Sequence, residues 1–364
     1  MKILYVSDPD SPYTHRWLSW FAAHGHSVFL AADNPVRVEW ANMNIYPFAD
    51  RFNIPILKYL VWSYKLRRLI AAIKPDILHA HRVSSAGWIA AFTGFHPLVV
   101  TPWGSDLYLH PDRSLLAKWL AKFVLKKADL VTADSMDLCH QAIRYGADPR
   151  RSHVVQWGVS LEVFTPGAPS SEFRNQLQLF SSPIILSQRA IKPIYNIDVI
   201  VQTIPIIREH YPGVIYILRD YNTDPGYKKH IDNLIASLDV NKSIRWLERI
   251  EPWERNADVY RLADLAVSIA SSDGTPGSVL EAFACGIPVI ASDLPSLREW
   301  IENGKNGMLV PPRDPQALSS AILNLLKQPV LMEQFMNENL RLVRQRADHE
   351  IEMYKMENLY QGII

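Results

Sequence analysis

Cysteine is nearly absent from this chain. Two of 364 residues, Cys139 and Cys285, give neither a disulfide framework nor the paired spacing of a zinc site. Long apolar runs are missing as well. The best stretch, residues 88–103, is interrupted by His96, Pro97 and Pro102 and falls short of the roughly 18–20 residues that a spanning helix needs. Lys2 is followed by only four apolar residues before Ser7 and Asp8, so no secretory leader is expected and the reading is cytoplasmic. No G-x-G-x-x-G follows the first predicted strand, which weighs against a nicotinamide enzyme. Neither a G-x-x-x-x-G-K-S/T loop nor a G-x-S-x-G elbow occurs. His349-Glu350 opens like a zinc-protease motif, but Met353 stands where the second histidine belongs.

What is present is an ordinary globular composition. With 48% hydrophobic and 21% charged residues, the chain is long enough to bury two cores and too apolar to be disordered. The formal net charge of +1 conceals an asymmetry. Residues 1–165 carry 18 basic against 13 acidic side chains, and the remainder 20 against 24. Two halves with different partners are expected. The basic excess is too small, and aromatic-basic motifs too few, for nucleic acid.

Hydrophobic patterning repeats one unit. Residues 3–6 read as a buried strand, 14–23 as a helix and 28–30 as a second strand, a βαβ unit within thirty residues. Helical patterns at 58–73 and 115–127 then alternate with strand patterns at 77–79, 99–101 and 130–132. Pro166, Gly167, Pro169 and two serine pairs mark residues 164–181 as a linker. Beyond it, strands are predicted at 184–186, 214–218, 244–246, 265–269, 289–290 and 308–310. The fold class is α/β, with two Rossmann-like doubly wound parallel sheets, at 1–163 and 182–344, facing a cleft. Ligands of such sheets sit at the carboxyl ends of strands.

Residues 271–312 carry the chemistry. A strand ends in a loop holding Gly274, Thr275, Pro276 and Gly277, and a helix follows with Ser278 and Glu281. Free amides at a helix start suit phosphate. Asp273 and Glu281 accept hydrogen bonds from sugar or ribose hydroxyls on one reading. On the other, Asp273 caps the helix and Glu281 complements its dipole. Asp8-Pro9-Asp10 spells a metal-binding D-x-D but follows the first strand and reads as a turn.

The run Glu281-Ala282-Phe283-Ala284-Cys285-Gly286-Ile287-Pro288-Val289-Ile290, eight residues after Asp273, resembles the signature of the family-four retaining glycosyltransferases, which have the GT-B fold. Asn306-Gly307-Met308-Leu309-Val310 and the hinge-like Trp157-Gly158-Val159 extend the resemblance. The tail, residues 345–364, resembles the helix that crosses back to complete the N-terminal domain. The resemblance implies a metal-independent transfer of sugar from a nucleoside diphosphate, with no cofactor. Glu281 would hold the ribose. Asp273, shorter than the usual Glu, would meet the donor sugar, and residues Gly274, Thr275, Pro276, Gly277 and Ser278 the diphosphate. Arg189, with Lys192 nearby, would stabilise the leaving group, although Gln188 and Ile194 depart from the family's Gly and Lys.

On the acceptor side, Asp106 and His81 are the candidates for orienting the acceptor or handling a proton, beside Tyr13, His15, Arg82, Trp103 and Gly104. Partners are then a nucleotide-sugar and a glycan or glycolipid acceptor, in cell-envelope polysaccharide or glycolipid assembly. Basic amphipathic stretches at 113–127 and 51–74 add an anionic membrane surface. The competing readings are a non-catalytic scaffold that binds nucleotide-sugar, and an epimerase or phosphorylase on the same fold.

Overall fold

The computed structural model describes residues 1–32, 43–47, 57–180 and 183–364. Arg51, at the start of one basic stretch, and residues 181 and 182, where linker and second domain meet, lie outside them. The described chain forms two compact units, residues 1–157 with 350–364, and residues 158–349.

The first unit holds a seven-stranded parallel sheet: β1 (Lys2–Ser7), β2 (Ser27–Ala32), β3 (Asn44–Pro47), β4 (Ile77–His81), β5 (Leu98–Thr101), β6 (Leu130–Ala133) and β7 (Ser152–Val154), in the order β3-β2-β1-β4-β5-β6-β7. Side chains alternate across it. Leu4, Val6, Leu78 and Ala80 pack on one face with Trp62, Leu66, Trp88 and Leu120 from crossover helices. Ile3, Tyr5 and Ile77 pack on the other with Trp17, Leu18 and Phe21 of helix Pro12–Ala23 and Met353, Met356 and Tyr360 of helix His349–Gln361. Both faces are therefore dry, which is why these strands read as unbroken apolar runs. A buried polar chain fixes the returning helix: the Tyr360 hydroxyl lies 2.5 Å from His79 Nδ1 and 3.2 Å from the Tyr5 hydroxyl. Residues 350–364 thus belong to the first unit, whereas residues 345–349 of the expected tail belong to the second.

The second unit holds six parallel strands: β8 (Ile184–Ser187), β9 (Ile215–Arg219), β10 (Ile244–Leu247), β11 (Leu265–Ser268), β12 (Val289–Ser292) and β13 (Met308–Val310), in the order β10-β9-β8-β11-β12-β13. Ile184, Leu186 and Ile217 face one core, Ile185, Tyr216 and Leu218 the other.

Two expectations change. Residues 164–180 are not a linker but part of the second unit: Phe164, Phe173, Leu177 and Leu179 are buried in its core. The serines there have a local job, since Ser170 caps helix Ser171–Gln176 by accepting from the Phe173 amide. The unit boundary falls instead at 157/158 and 349/350. There Gly158 has φ +67°, and the Val159 amide donates to Ala347 O at 2.8 Å. Among the described residues no helix is long and apolar enough to cross a membrane.

Candidate functional site

In the second unit the site grows from the loop after β11. Helix Gly277–Ala284 starts behind Pro276, which supplies no side-chain cap; the Val279 amide donates to Pro276 O at 3.0 Å, and the Gly277 and Ser278 amides before it get no side-chain cap from Pro276. One turn in, Glu281 is only 2% exposed. Its Oε2 lies 2.9 Å from the Tyr260 hydroxyl, which is also 3.1 Å from Ser278 O, and its Oε1 accepts from Trp253 Nε1 at 3.3 Å. Glu281 is thus a fixed, buried acceptor rather than a solvated complement to the dipole.

Asp273 is not a helix cap either. Its Oδ2 accepts from Arg189 Nη2 at 2.6 Å, while its carbonyl accepts from Ser296 Oγ at 2.8 Å. Burial pushes the Asp273 carboxyl up, and Arg189 and the Gly274 amide oppose that rise. Arg189 Nη1 also reaches Ser278 Oγ at 3.4 Å, and its guanidinium lies 4.0 Å from the Tyr195 ring centre. Asp273, Arg189 and Ser278 therefore form one cluster at the helix start, a cation beside uncapped amides. Thr275 faces inward, accepting from Trp300 Nε1 at 3.1 Å. Lys192 Nζ donates to Asn222 Oδ1 at 2.9 Å. Sequence reasoning missed Tyr260, Trp253 and Arg219. Only the last left a trace, as a cation ending the apolar strand β9.

In the first unit the candidates gather at the carboxyl ends of β4 and β5. His81 is fully buried, its Nδ1 3.1 Å from Ser7 Oγ, with the Trp17, Trp103 and Trp157 rings 5.2–5.9 Å away. Burial and the neighbouring Arg82 push its pKa down to about 3. It is neutral at physiological pH, a hydrogen-bonding group and a weak base. Both Asp106 oxygens are committed, accepting from the Val83 amide at 2.6 Å and the Trp103 amide at 2.8 Å. Asp106 thereby braces the loops after β4 and β5.

Gly104 has φ +105° at the entry to helix Ser105–Tyr108, where an L side chain would be strained. The Arg82 guanidinium sits 5.4 Å from the Trp103 ring centre. Tyr13 meets Trp157 edge-on at 6.1 Å. His15 is exposed on the first helix. Asp8 Oδ1 accepts the Asp10 amide at 3.0 Å, the turn expected of D-x-D.

A family model described as glycosyl transferases group 1 matches residues 170–342, and one described as glycosyl transferase 4-like matches residues 2–135. A D-inositol 3-phosphate glycosyltransferase of Geodermatophilus obscurus is 30% identical over 274 residues, 71% of this chain and 60% of that protein. Its counterpart in Xylanimonas cellulosilytica is 31% identical over 277 residues, 69% and 63% of the two chains. The matches thus span under two thirds of these relatives' lengths. Among solved structures, sucrose-phosphate synthase of Thermosynechococcus elongatus superposes with a TM-score of 0.85 at 20% identity, covering 100% of this chain and 98% of that one. Anabaena HepE in complex with UDP-glucose superposes with a TM-score of 0.83 at 17% identity over 100% of both.

Proposed function

Because the chain belongs to the family-four glycosyltransferases and has their GT-B fold, we propose that it is an active hexosyltransferase moving sugar from a nucleoside diphosphate to a glycan or lipid-linked acceptor. The observation that carries this reading is the cluster around the start of helix Gly277–Ala284: Arg189 on Asp273 and Ser278, with Glu281 one turn inside. The Glu281 carboxylate is dry and rigid, suited to a pair of ribose hydroxyls. The diphosphate would lie against the uncapped amides and Arg189, where negative charge grows as the glycosidic bond breaks. On this reading configuration is retained, the acceptor attacking from the leaving-group side and passing its proton to the diphosphate, because Arg189 occupies Asp273 while Tyr260 and Trp253 occupy Glu281. His81, neutral, buried and bonded to Ser7, would shape the acceptor side from beneath rather than touch the acceptor. The HepE complex supports a nucleotide-sugar donor, and the inositol-phosphate relatives support a polyol hydroxyl as nucleophile.

The test is hydrolysis and thermal stabilisation across UDP-, GDP-, ADP- and dTDP-sugars. Stabilisation by one donor with slow sugar release supports a transferase. Stabilisation without release in the presence of glycan acceptors favours a binding scaffold, and silence across the panel removes the donor reading. Glu281→Ala is expected to weaken donor binding by about 1–3 kcal/mol, since ribose hydroxyls lose a buried acceptor; calorimetry showing equal affinity would take Glu281 out of the site. The reaction is also expected to run without a metal ion. Activity should survive EDTA, and loss restored by Mg²⁺ would contradict this.

A membrane-bound acceptor gains support from the first unit. Helix Leu115–Lys127 leaves Leu115 88% and Trp119 55% exposed, with Lys118, Lys122 and Lys126 also exposed. Leu57, Leu60 and Tyr64 are exposed on helix Leu57–Ile73. Apolar side chains among cations suit an anionic lipid surface in envelope assembly. Co-sedimentation with phosphatidylglycerol vesicles is expected at low salt and should fall as salt rises; no binding at low salt would retire this part.

A further inference from the structure

Arg219 is the last residue of β9 and only 3% exposed. A buried guanidinium is costly unless an anion or several acceptors meet it. Yet among the described residues Arg219 forms no ion pair, and its hydrogen bond is from Nη1 to the neutral Asn256 Oδ1 at 2.9 Å. Asn256 is itself spoken for, donating through Nδ2 to Trp253 O at 2.6 Å. The guanidinium lies 6.0 Å from the ring centres of both Tyr221 and Trp253. Tyr221 is held by Arg249, whose Nη1 donates to its hydroxyl at 2.9 Å. Burial works against the charge on Arg219; Tyr260 and Glu281 are the leading neighbours that favour it. The result is a largely buried cation whose side-chain hydrogen bond goes to a neutral amide, beside two aromatic rings.

Its position says which part of a ligand it would meet. On the donor reading given above, Glu281 holds the ribose and the diphosphate runs toward Arg189 and Ser278. The base leaves the ribose on the other side. Arg219 is assigned to that side because Trp253, whose ring centre is 6.0 Å from its guanidinium, and Tyr260, whose charge it feels, both hydrogen-bond Glu281. Guanidinium groups donate and never accept. A ring carbonyl takes such donors in the plane of the base, as a guanine O6 does, whereas adenine offers only ring nitrogens beside its own amino donor. The flanking rings supply stacking for any planar base. Selection therefore falls to Arg219.

We propose that Arg219 reads the donor's base, and that the base carries a ring carbonyl, as uracil, thymine and guanine do, and is not adenine. This rests on the donor reading and sharpens it. The experiment is calorimetric titration of the full chain with UDP, GDP and ADP, for the wild type, Arg219→Gln and Arg219→Lys, with Glu281→Ala alongside. In the wild type, UDP or GDP is expected to bind at least about ten-fold tighter than ADP. Arg219→Gln should erase most of that preference by weakening the favoured nucleotide and leaving ADP unchanged, whereas Glu281→Ala should weaken all three alike. A wild type that prefers ADP, a preference that survives in Arg219→Gln, or an equal loss for every base overturns the assignment. If Arg219→Gln does not fold, Arg219→Lys takes its place, and the wild-type ranking still decides. A wild type that binds none of the three defeats the donor reading itself. Binding without discrimination defeats only the role of Arg219.

Discussion

Arg189→Ala is expected to lower kcat by about 10²–10³ while donor affinity changes only a few-fold. The reason lies in what Arg189 touches before any donor arrives. Its guanidinium is held by Asp273 at 2.6 Å, by Ser278 and by the Tyr195 ring. A diphosphate in the ground state must share Arg189 with that resident carboxylate, so the net gain on binding is modest. As the glycosidic bond breaks, charge accumulates on the leaving oxygen and the same fixed cation gains more. Steady-state kinetics separate the two stages. An effect confined to KM would make Arg189 an anchor for the donor and would end its role at the leaving group.

The second large effect concerns the fold. Gly158→Val is expected to destabilise the protein by about 3–5 kcal/mol, lowering Tm by about 10 °C. A Cβ at Gly158 would lie 2.6 Å from His349 Cα, 2.9 Å from His349 N and 3.1 Å from Ala347 O, all main-chain atoms that cannot rotate away. Its φ of +67° adds strain for any L side chain. Gly25→Ala is the control, because Gly25 has φ +81° with nothing within 4 Å of a Cβ. It should cost only about 1 kcal/mol, the price of the dihedral alone. Equal losses in the two variants, measured by thermal denaturation, would show that close approach at Gly158 does not matter.

Most of the architecture was legible because the central strands are dry on both faces and stand in the sequence as short apolar runs. The edges were not. β3 and β7 are half-buried at the margins of the first sheet, and Asn44–Pro47 and Ser152–Val154 carry no run to detect. The supposed linker failed for the opposite reason: prolines and serines were visible, but the tertiary burial of Phe173 and Leu179 was not.

In the site, Asp273, Arg189, Ser278 and Glu281 could be found because three of them share one short loop-helix segment and Arg189 follows a clear strand. The ties from Tyr260 and Trp253 to Glu281 span 21 and 28 residues and leave no periodic trace. Lys192 shows the limit of proximity in sequence. It stands three residues from Arg189, and its Nζ donates to Asn222, a partner thirty residues on that spacing does not reveal.

The returning helix has a consequence for synthesis. Met353, Met356 and Tyr360 close the core around Tyr5, Trp17 and Phe21, yet they are translated only after the whole of residues 158–349. On the ribosome, the second unit is complete in sequence while the first still lacks the helix that closes one of its cores. The first unit, begun first, is therefore the last to have all of its core residues synthesised. Until the helix docks, a nascent chain offers an aromatic-rich apolar surface, the kind that chaperones hold and that aggregates when they do not.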